Sequence, residues 1–348
     1  MSLSFKPSLD PVVAAESLRK LVACHIDPLP FQLPIRRLER IYAAYAAYAP
    51  LPWPARGLVL TPEDHYQSEL WLPLSVITPV FYRFYQAALK YPPILSSTPF
   101  ATASSWAGIV ASLPAGFHAS SPAVILKQLL EEHELRLKFL FHSFMPQRFY
   151  GKGFDRYPEQ HNFIRSYVQE LKGKVNCLDA ACGDGFGCYT LGRMLLEHKI
   201  APELFRIEGW TLDPLECWSA AHGNFPHDNR KTIDYQKFLE SLIARGGDLS
   251  IIFKQRDLLD KGSKTGHFDL IICNGLLGGP IIHEKYVLNN LIVRLGELLA
   301  PGGMLLVADN FHAGWKKKCP QEGLRALFVN NSFECFNVGE GIGCRKSS

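Results

Sequence analysis

The sequence predicts an α/β protein. A doubly wound, mostly parallel sheet of seven strands is expected in residues 151–348, preceded by an all-helical N-terminal domain in residues 1–150. Three observations carry this. Short apolar runs alternate with helical patterns from Val175 onward. A glycine turn, Gly183-Asp-Gly-Phe-Gly187, joins the first of these runs to a helix, the opening unit of such a sheet. The first 150 residues instead place apolar side chains three and four apart between prolines, the pattern of packed helices.

At 348 residues the chain has material for two domains, each with a core. Its 47% hydrophobic and 20% charged content is that of a globular soluble protein. The net charge of +4 comes without a long basic block; Lys316-Lys317-Lys318 reads as a solvated loop. Nucleic acid is therefore not favoured as a partner. The nine cysteines, Cys24, Cys177, Cys182, Cys188, Cys217, Cys273, Cys319, Cys335 and Cys344, show no C-x-x-C spacing. A zinc site is not expected, and free thiols in a reducing cytoplasm account for them. No basic-then-apolar leader and no apolar run of about 18 residues appears, so neither a signal peptide nor a membrane span is expected.

In the helical part, Pro11 to Ile26 and Pro34 to Tyr48 carry apolar residues at helical spacing. Thr61-Pro62-Glu63-Asp64 is a helix start: a capping hydroxyl, proline in the first turn, then acids. The cluster Phe81-Tyr82-Arg83-Phe84-Tyr85 reads as core, with an acceptor pocket as the other reading. Ser121-Pro122 begins a helix expected to run to Phe144, with Leu126, Leu129, Leu130, His133, Leu137, Leu140 and Phe141 on one face. At the junction, Arg148, Tyr150 and Lys152 are candidates to touch a ligand carboxylate or an acceptor, and a helix is expected from His161 to Leu171.

The central stretch is Val175-Asn-Cys-Leu-Asp179 followed by the turn. Glycines admit positive φ and close approach of a ligand to the main chain. The helix start beyond them offers N–H groups to an anion. The spacing, Asp-x-x-x-Gly-x-Gly-x-Gly from Asp179 to Gly187, is not the G-x-G-x-x-G of dinucleotide sites. A second strand, Leu204 to Leu212, ends in Asp213, an acid placed to accept from two ribose hydroxyls. A third, Leu249 to Lys254, leads to Asp257-Leu258, and a fourth, Phe268 to Asn274, ends at the edge where such folds bind ligands. A helix over Glu284–Leu299, the turn Ala300-Pro301-Gly302-Gly303, a strand Met304–Ala308, and a hairpin of Phe333–Val338 with Ile342–Lys346 complete the sheet.

In this order of motifs the chain, from about residue 173 to 346, resembles the class I (Rossmann-like) S-adenosylmethionine-dependent methyltransferases. Within that class Cys182 to Leu196, Asp257-Leu258 and Phe268 to Leu277 resemble the chemotaxis-receptor glutamate methyltransferases, the CheR family. The family's glutamates after the glycine turn are replaced by Phe186 and Gly187, and its Arg-Asn pair by Cys273-Asn274. The resemblance implies S-adenosyl-L-methionine as cofactor. It does not carry over receptor glutamate as the acceptor, which stays open between a protein carboxylate and a small molecule.

The implied cofactor residues are Asp179, Gly183, Asp184, Gly185, Gly187, Asp213, Asp257, Leu258 and Asn274, with Asp179 toward the ammonium and Asp257-Leu258 bracketing the adenine. Tyr150, Asn274, Asp309 and His312 are candidates for the acceptor side. Methyl transfer from an activated sulfonium needs alignment and exclusion of water more than a catalytic acid or base, so none is assigned. The alternatives are a non-catalytic S-adenosylmethionine-binding module and an NAD-dependent oxidoreductase on a Rossmann fold.

Overall fold

The computed structural model describes residues 3–49, 54–145, 156–171, 173–260, 268–279, 282–308 and 315–346. Arg148, Tyr150, Lys152, Asp309 and His312 lie outside the described residues. Contacts divide the chain into two compact units. One joins Met1–Leu9, Arg148–Gly223 and Tyr235–Ser348; the other joins Asp10–Gln147 and Asn224–Asp234.

The first unit holds one mixed sheet of eight strands rather than seven. They are β1 (Ser4–Phe5), β2 (Val175–Asp179), β3 (Phe205–Thr211), β4 (Ile251–Gln255), β5 (Phe268–Ile272), β6 (Leu299–Ala308), β7 (Phe333–Val338) and β8 (Gly341–Lys346). Their order is β1-β4-β3-β2-β5-β6-β8-β7. The pairs among β4, β3, β2, β5 and β6 are parallel; β1 on β4, β8 on β6 and β7 on β8 are antiparallel. Nothing in the sequence announces β1, because two residues carry no periodicity. It is fixed instead by distant partners. Gln255 N donates to Leu3 O at 2.9 Å, Ser8 N to Ala221 O at 2.9 Å, and His222 Nδ1 lies 2.9 Å from Ser8 O. The first nine residues therefore pack with the sheet, where the sequence suggested the helical part.

The second unit carries α1 (Pro11–Arg19), α2 (Gln32–Tyr48), α3 (Pro62–Trp71), α4 (Leu74–Ala88), α5 (Pro99–Thr102), α6 (Trp106–Ser112), α7 (Pro122–Glu131) and α8 (His133–Phe144). At Thr61 both halves of a capping box are present: Asp64 N donates to Thr61 Oγ1 at 3.2 Å and Thr61 N to Asp64 Oδ2 at 2.8 Å. Phe81, Phe84 and Tyr85 are fully buried, and Tyr85 Oη donates to Ser143 Oγ at 2.8 Å. Those three rings are core.

The expected helix from Pro122 to Phe144 is two helices, parted at Glu132, whose backbone is extended. The reason is Arg136, 1% exposed. Its Nε and Nη2 donate to Leu129 O and Leu130 O at 2.8 and 2.9 Å, and its Nη1 reaches Ala23 O and Cys24 O, both at 3.0 Å. The break turns the last carbonyls of α7, which a helix end leaves without partners, onto a buried guanidinium.

In the sheet unit, the remaining helices are α9 (Pro158–Val168), α10 (Phe186–Glu197), α11 (Pro214–His222), α12 (Asn229–Ile243, of which Tyr235 onward belongs here), α13 (Lys285–Leu298) and α14 (Gln321–Asn330). β2 to β4 follow one another outward, and the chain then returns to lay β5 on the other side of β2. The direction of winding reverses there, at the strand ends where open sheets of this kind bind ligands. Buried Leu178, Ile271 and Leu305 share one apolar cluster with Leu288, Leu291, Leu295 and Phe328. The turn after β2 is pinned on both sides: Ala180 N donates to Ile272 O at 2.8 Å and Cys182 N to Trp210 O at 3.0 Å.

Gly185 precedes α10 with φ +81°, and a Cβ there would stand 2.7 Å from Ala220 Cβ and from Phe253. Gly185→Ala is expected to destabilise the sheet unit by about 2 kcal/mol or more, from backbone strain and overpacking together. Urea denaturation measures this; a loss below ~0.5 kcal/mol would contradict the packing described.

Candidate cofactor site

The residues singled out by sequence lie at the C-terminal ends of four neighbouring strands. Across β4, β3, β2 and β5 these ends carry Asp257, Asp213, Asp179 and Asn274 in turn. Asp179 is the last residue of β2, opposite Gly209 of β3 and Ile272 of β5.

Asp179 is buried, 6% exposed. Burial pushes its carboxyl up to about 7, against the Ala181 backbone N–H and the Cys188 thiol, which hold it down; Asp184 raises it and Arg156 lowers it further. Cys188 Sγ stands 3.7 Å from Asp179 Oδ2. Gly187, in the first turn of α10, allows this carboxylate to sit against the helix, since a Cβ there would collide with Asp179 Oδ2. The three glycines of the turn thus have different tasks. Gly185 and Gly187 make room for protein. Gly183, with φ +50°, has nothing among the described residues within 4 Å of the position a Cβ would take. Asp184 Oδ1 accepts from Phe186 N at 3.2 Å, and Asp184 O accepts from Tyr235 Oη at 3.0 Å.

Asp213 caps α11: its Oδ1 accepts from Leu215 N at 2.8 Å. Thr211 Oγ1, at the end of β3, donates to Glu216 in the first turn of α11, which brings a second acid to this strand end. Asp257 is exposed, and its Oδ1 accepts from Leu259 N at 2.8 Å. Leu258 is buried in the same apolar cluster as Trp210, Leu178 and Ala180. The Arg256 guanidinium lies over the Trp210 ring, 4.9 Å from its centre.

Asn274 is bound within the protein. Its Oδ1 accepts from Ala308 N at 2.9 Å and from Gln160 Nε2 at 3.2 Å, and its Nδ2 donates to Gln160 Oε1 at 2.7 Å. It therefore ties the end of β5 to β6 and to α9. Gln160, fully buried, was not visible in the sequence; its partner is 114 positions away. Nothing in the sequence marks Glu216, in the first turn of α11, or the approach of Cys188 to Asp179. Among the described residues no group of three or more His, Cys, Asp or Glu side chains suits a metal ion, and no helix is long and apolar enough to cross a membrane.

No family model matches the sequence, and no curated protein matches it. Some solved structures are similar to part of the chain. A TehB-like S-adenosylmethionine-dependent methyltransferase from Corynebacterium glutamicum is 17% identical, over 56% of this chain and 89% of that one, with a TM-score of 0.36. A putative S-adenosyl-L-methionine-dependent methyltransferase from Methanococcus maripaludis is 14% identical, over 55% and 86%, with a TM-score of 0.36. The N-methyltransferase NodS from Bradyrhizobium japonicum, solved with S-adenosyl-l-homocysteine, is 15% identical, over 65% and 97%, with a TM-score of 0.36. At such identities and scores these likenesses assign no activity.

The raised pKa of Asp179 has a measurable consequence. The fold favours its protonated form, so the stability it contributes is complete below its ordinary value of 3.8 and is lost as pH rises to about 7. An Asp179→Asn variant lacks this slope. Between about pH 4 and 7 the native chain should lose on the order of 4 kcal/mol relative to the variant, at 1.36 kcal/mol per pKa unit. Urea denaturation across that window measures it, and parallel curves would show that Asp179 ionises in the fold without cost.

Proposed function

We propose that the sheet unit binds S-adenosyl-L-methionine at the strand ends beyond β2 and that the chain is a methyltransferase. One observation carries the reading: three acids in sequence, Asp179, Asp213 and Asp257, stand at the ends of three adjacent strands around a turn whose Gly183 meets none of the described residues on its Cβ side. A carboxylate at each strand end suits a ligand with an ammonium, a ribose and a base, read in that order. A pyrophosphate between acids would be repelled. The sheet also departs from the 3-2-1-4-5-6 order of dinucleotide-binding folds, because the antiparallel hairpin β7–β8 places β8 beside β6. Both points weigh against an NAD-dependent oxidoreductase.

In this reading the turn Gly183, Asp184, Gly185 and Gly187 cradles the amino-acid end. Asp179 faces its ammonium. Asp213 accepts from the ribose while capping α11, and Asp257 with Leu258 brackets the adenine. Asn274, held by Gln160, keeps the neighbouring strand end in place. The cofactor, when bound, supplies a methyl group already activated on sulfur. The protein's part is to orient a nucleophile and exclude water, which calls for no acid or base among its side chains. A protein carboxylate, as in the CheR family, and a small molecule both remain acceptors to test. We further propose that residues 1–150, apart from the first nine, form the acceptor-recognition part and that the protein works in the cytoplasm.

Calorimetry with S-adenosylmethionine and with NADH tests the assignment: binding of the first and not the second is expected. Asp213→Ala and Asp213→Asn refine it. Asparagine also caps helices, so only the alanine variant should lose ~1 kcal/mol of stability. Both should weaken cofactor binding about tenfold or more, since the ribose hydroxyls lose a charged acceptor. Unchanged affinity in both would remove Asp213 from the site. Cofactor binding with no methyl transfer to any acceptor would favour a non-catalytic binding module.

A further inference from the structure

Two thiols away from these strand ends face each other across the β7–β8 hairpin. Cys335 of β7 and Cys344 of β8 are register partners in the antiparallel pair, and their sulfurs are 3.2 Å apart. Paired positions in antiparallel strands have Cα atoms about 4.5 to 5.5 Å apart, inside the span of roughly 4.4 to 6.8 Å that a disulfide bridges. Joining them therefore requires rotation of side chains and no transport of backbone.

Their surroundings differ in a useful way. β7 is the outermost strand of the sheet, and Cys335 is half-buried, within reach of a small reagent. Cys344 is fully buried beside it, and burial pushes its thiol well up. Cys335 is thus the thiol that reacts first, and Cys344 the one that resolves.

The hairpin turn between them carries Glu340. Its Oε1 accepts from Glu159 N at 3.1 Å and its Oε2 from Gln160 N at 3.0 Å. A carboxylate is thus placed on the first turn of α9, where the helix dipole favours negative charge. Gly339 beside it leaves no room for a side chain against Glu159. The two cysteines pair across the same hairpin three ladder pairs away from the turn that holds this cap, with Phe336–Gly343, Asn337–Ile342 and Val338–Gly341 between.

We propose that Cys335 and Cys344 form an oxidisable dithiol, which closes to a disulfide and fixes the Glu340 cap on α9. The oxidant is a low-molecular-weight disulfide. The Cys335 thiolate attacks one of its sulfurs, forming a mixed disulfide and releasing one small thiolate, which takes up the proton given up by Cys335. The Cys344 thiolate then attacks Cys335 Sγ, forming the protein disulfide and releasing the second small thiolate, protonated in turn. Two electrons and two protons pass from the protein to the reagent, and a small dithiol reverses the exchange. The inference does not depend on the cofactor reading.

The test treats the full-length protein with oxidised glutathione and maps its peptides without reductant. The expected product links the Cys335 and Cys344 peptides, with two hydrogens fewer, and dithiothreitol restores both thiols. Cys344→Ser should instead accumulate one glutathione on Cys335, and Cys335→Ser should yield no link. In the linked form the amides of Glu159 and Gln160 should exchange hydrogen at least threefold more slowly than in the reduced form. Stable glutathione adducts on Cys335 in the native chain, or links to other cysteines in their place, would overturn the pairing. Unchanged exchange at Glu159 and Gln160 in the linked form would overturn its coupling to the cap.

Discussion

The sheet unit depends on the seating of one carboxylate. Asp179 ends the central strand, buried, with the first turn of α10 pressed so close that residue 187 has no room for a side chain. Hydrogen bonds to Ile272 and Trp210 then hold the turn between its two neighbouring strands. The turn cannot shift without disturbing β3 or β5. A group whose ionised form is disfavoured in the fold is an unusual choice for stability. In the proposed site, an ammonium beside it would favour the ionised form.

Rigidity is spread over the neighbouring strand ends by other means. Asp213 is held by the helix it caps, Leu258 by its apolar cluster, and Asn274 by Gln160 and the Ala308 amide. Each polar residue at these strand ends thus has a structural bond that fixes its direction. Such pre-arrangement lowers the ordering cost of binding. Under the proposed assignment several residues serve fold and site together.

What the sequence disclosed was local in origin. The glycine turn, the Thr61 capping box and the apolar runs of β2 and β5 are written in consecutive residues, and their physics acts over a few positions. Asp213 shows the limit of that reading: its Oδ1 caps α11, while the proposed ribose role rests on where β3 ends. What the sequence concealed was joined over long separations. Glu340 meets the start of α9 from 180 and 181 positions away, and Asn274 meets Gln160 across 114. The two residues of β1 acquire their conformation from β4, some 250 positions distant. The helix break at Glu132 was hidden for the same reason. Its cause is a side chain four residues on that also reaches Ala23 and Cys24.

That arginine has a consequence for how the helical unit comes apart. Arg136 is solvated by four main-chain oxygens drawn from two distant stretches. Peeling away either stretch strands a full positive charge in an apolar interior, so partial opening is costly and the connected segments melt together. A lysine could not replace it, having three donors on a single nitrogen where the planar fork offers five. The cation acts as a rivet, converting a run of short helices into one cooperative body.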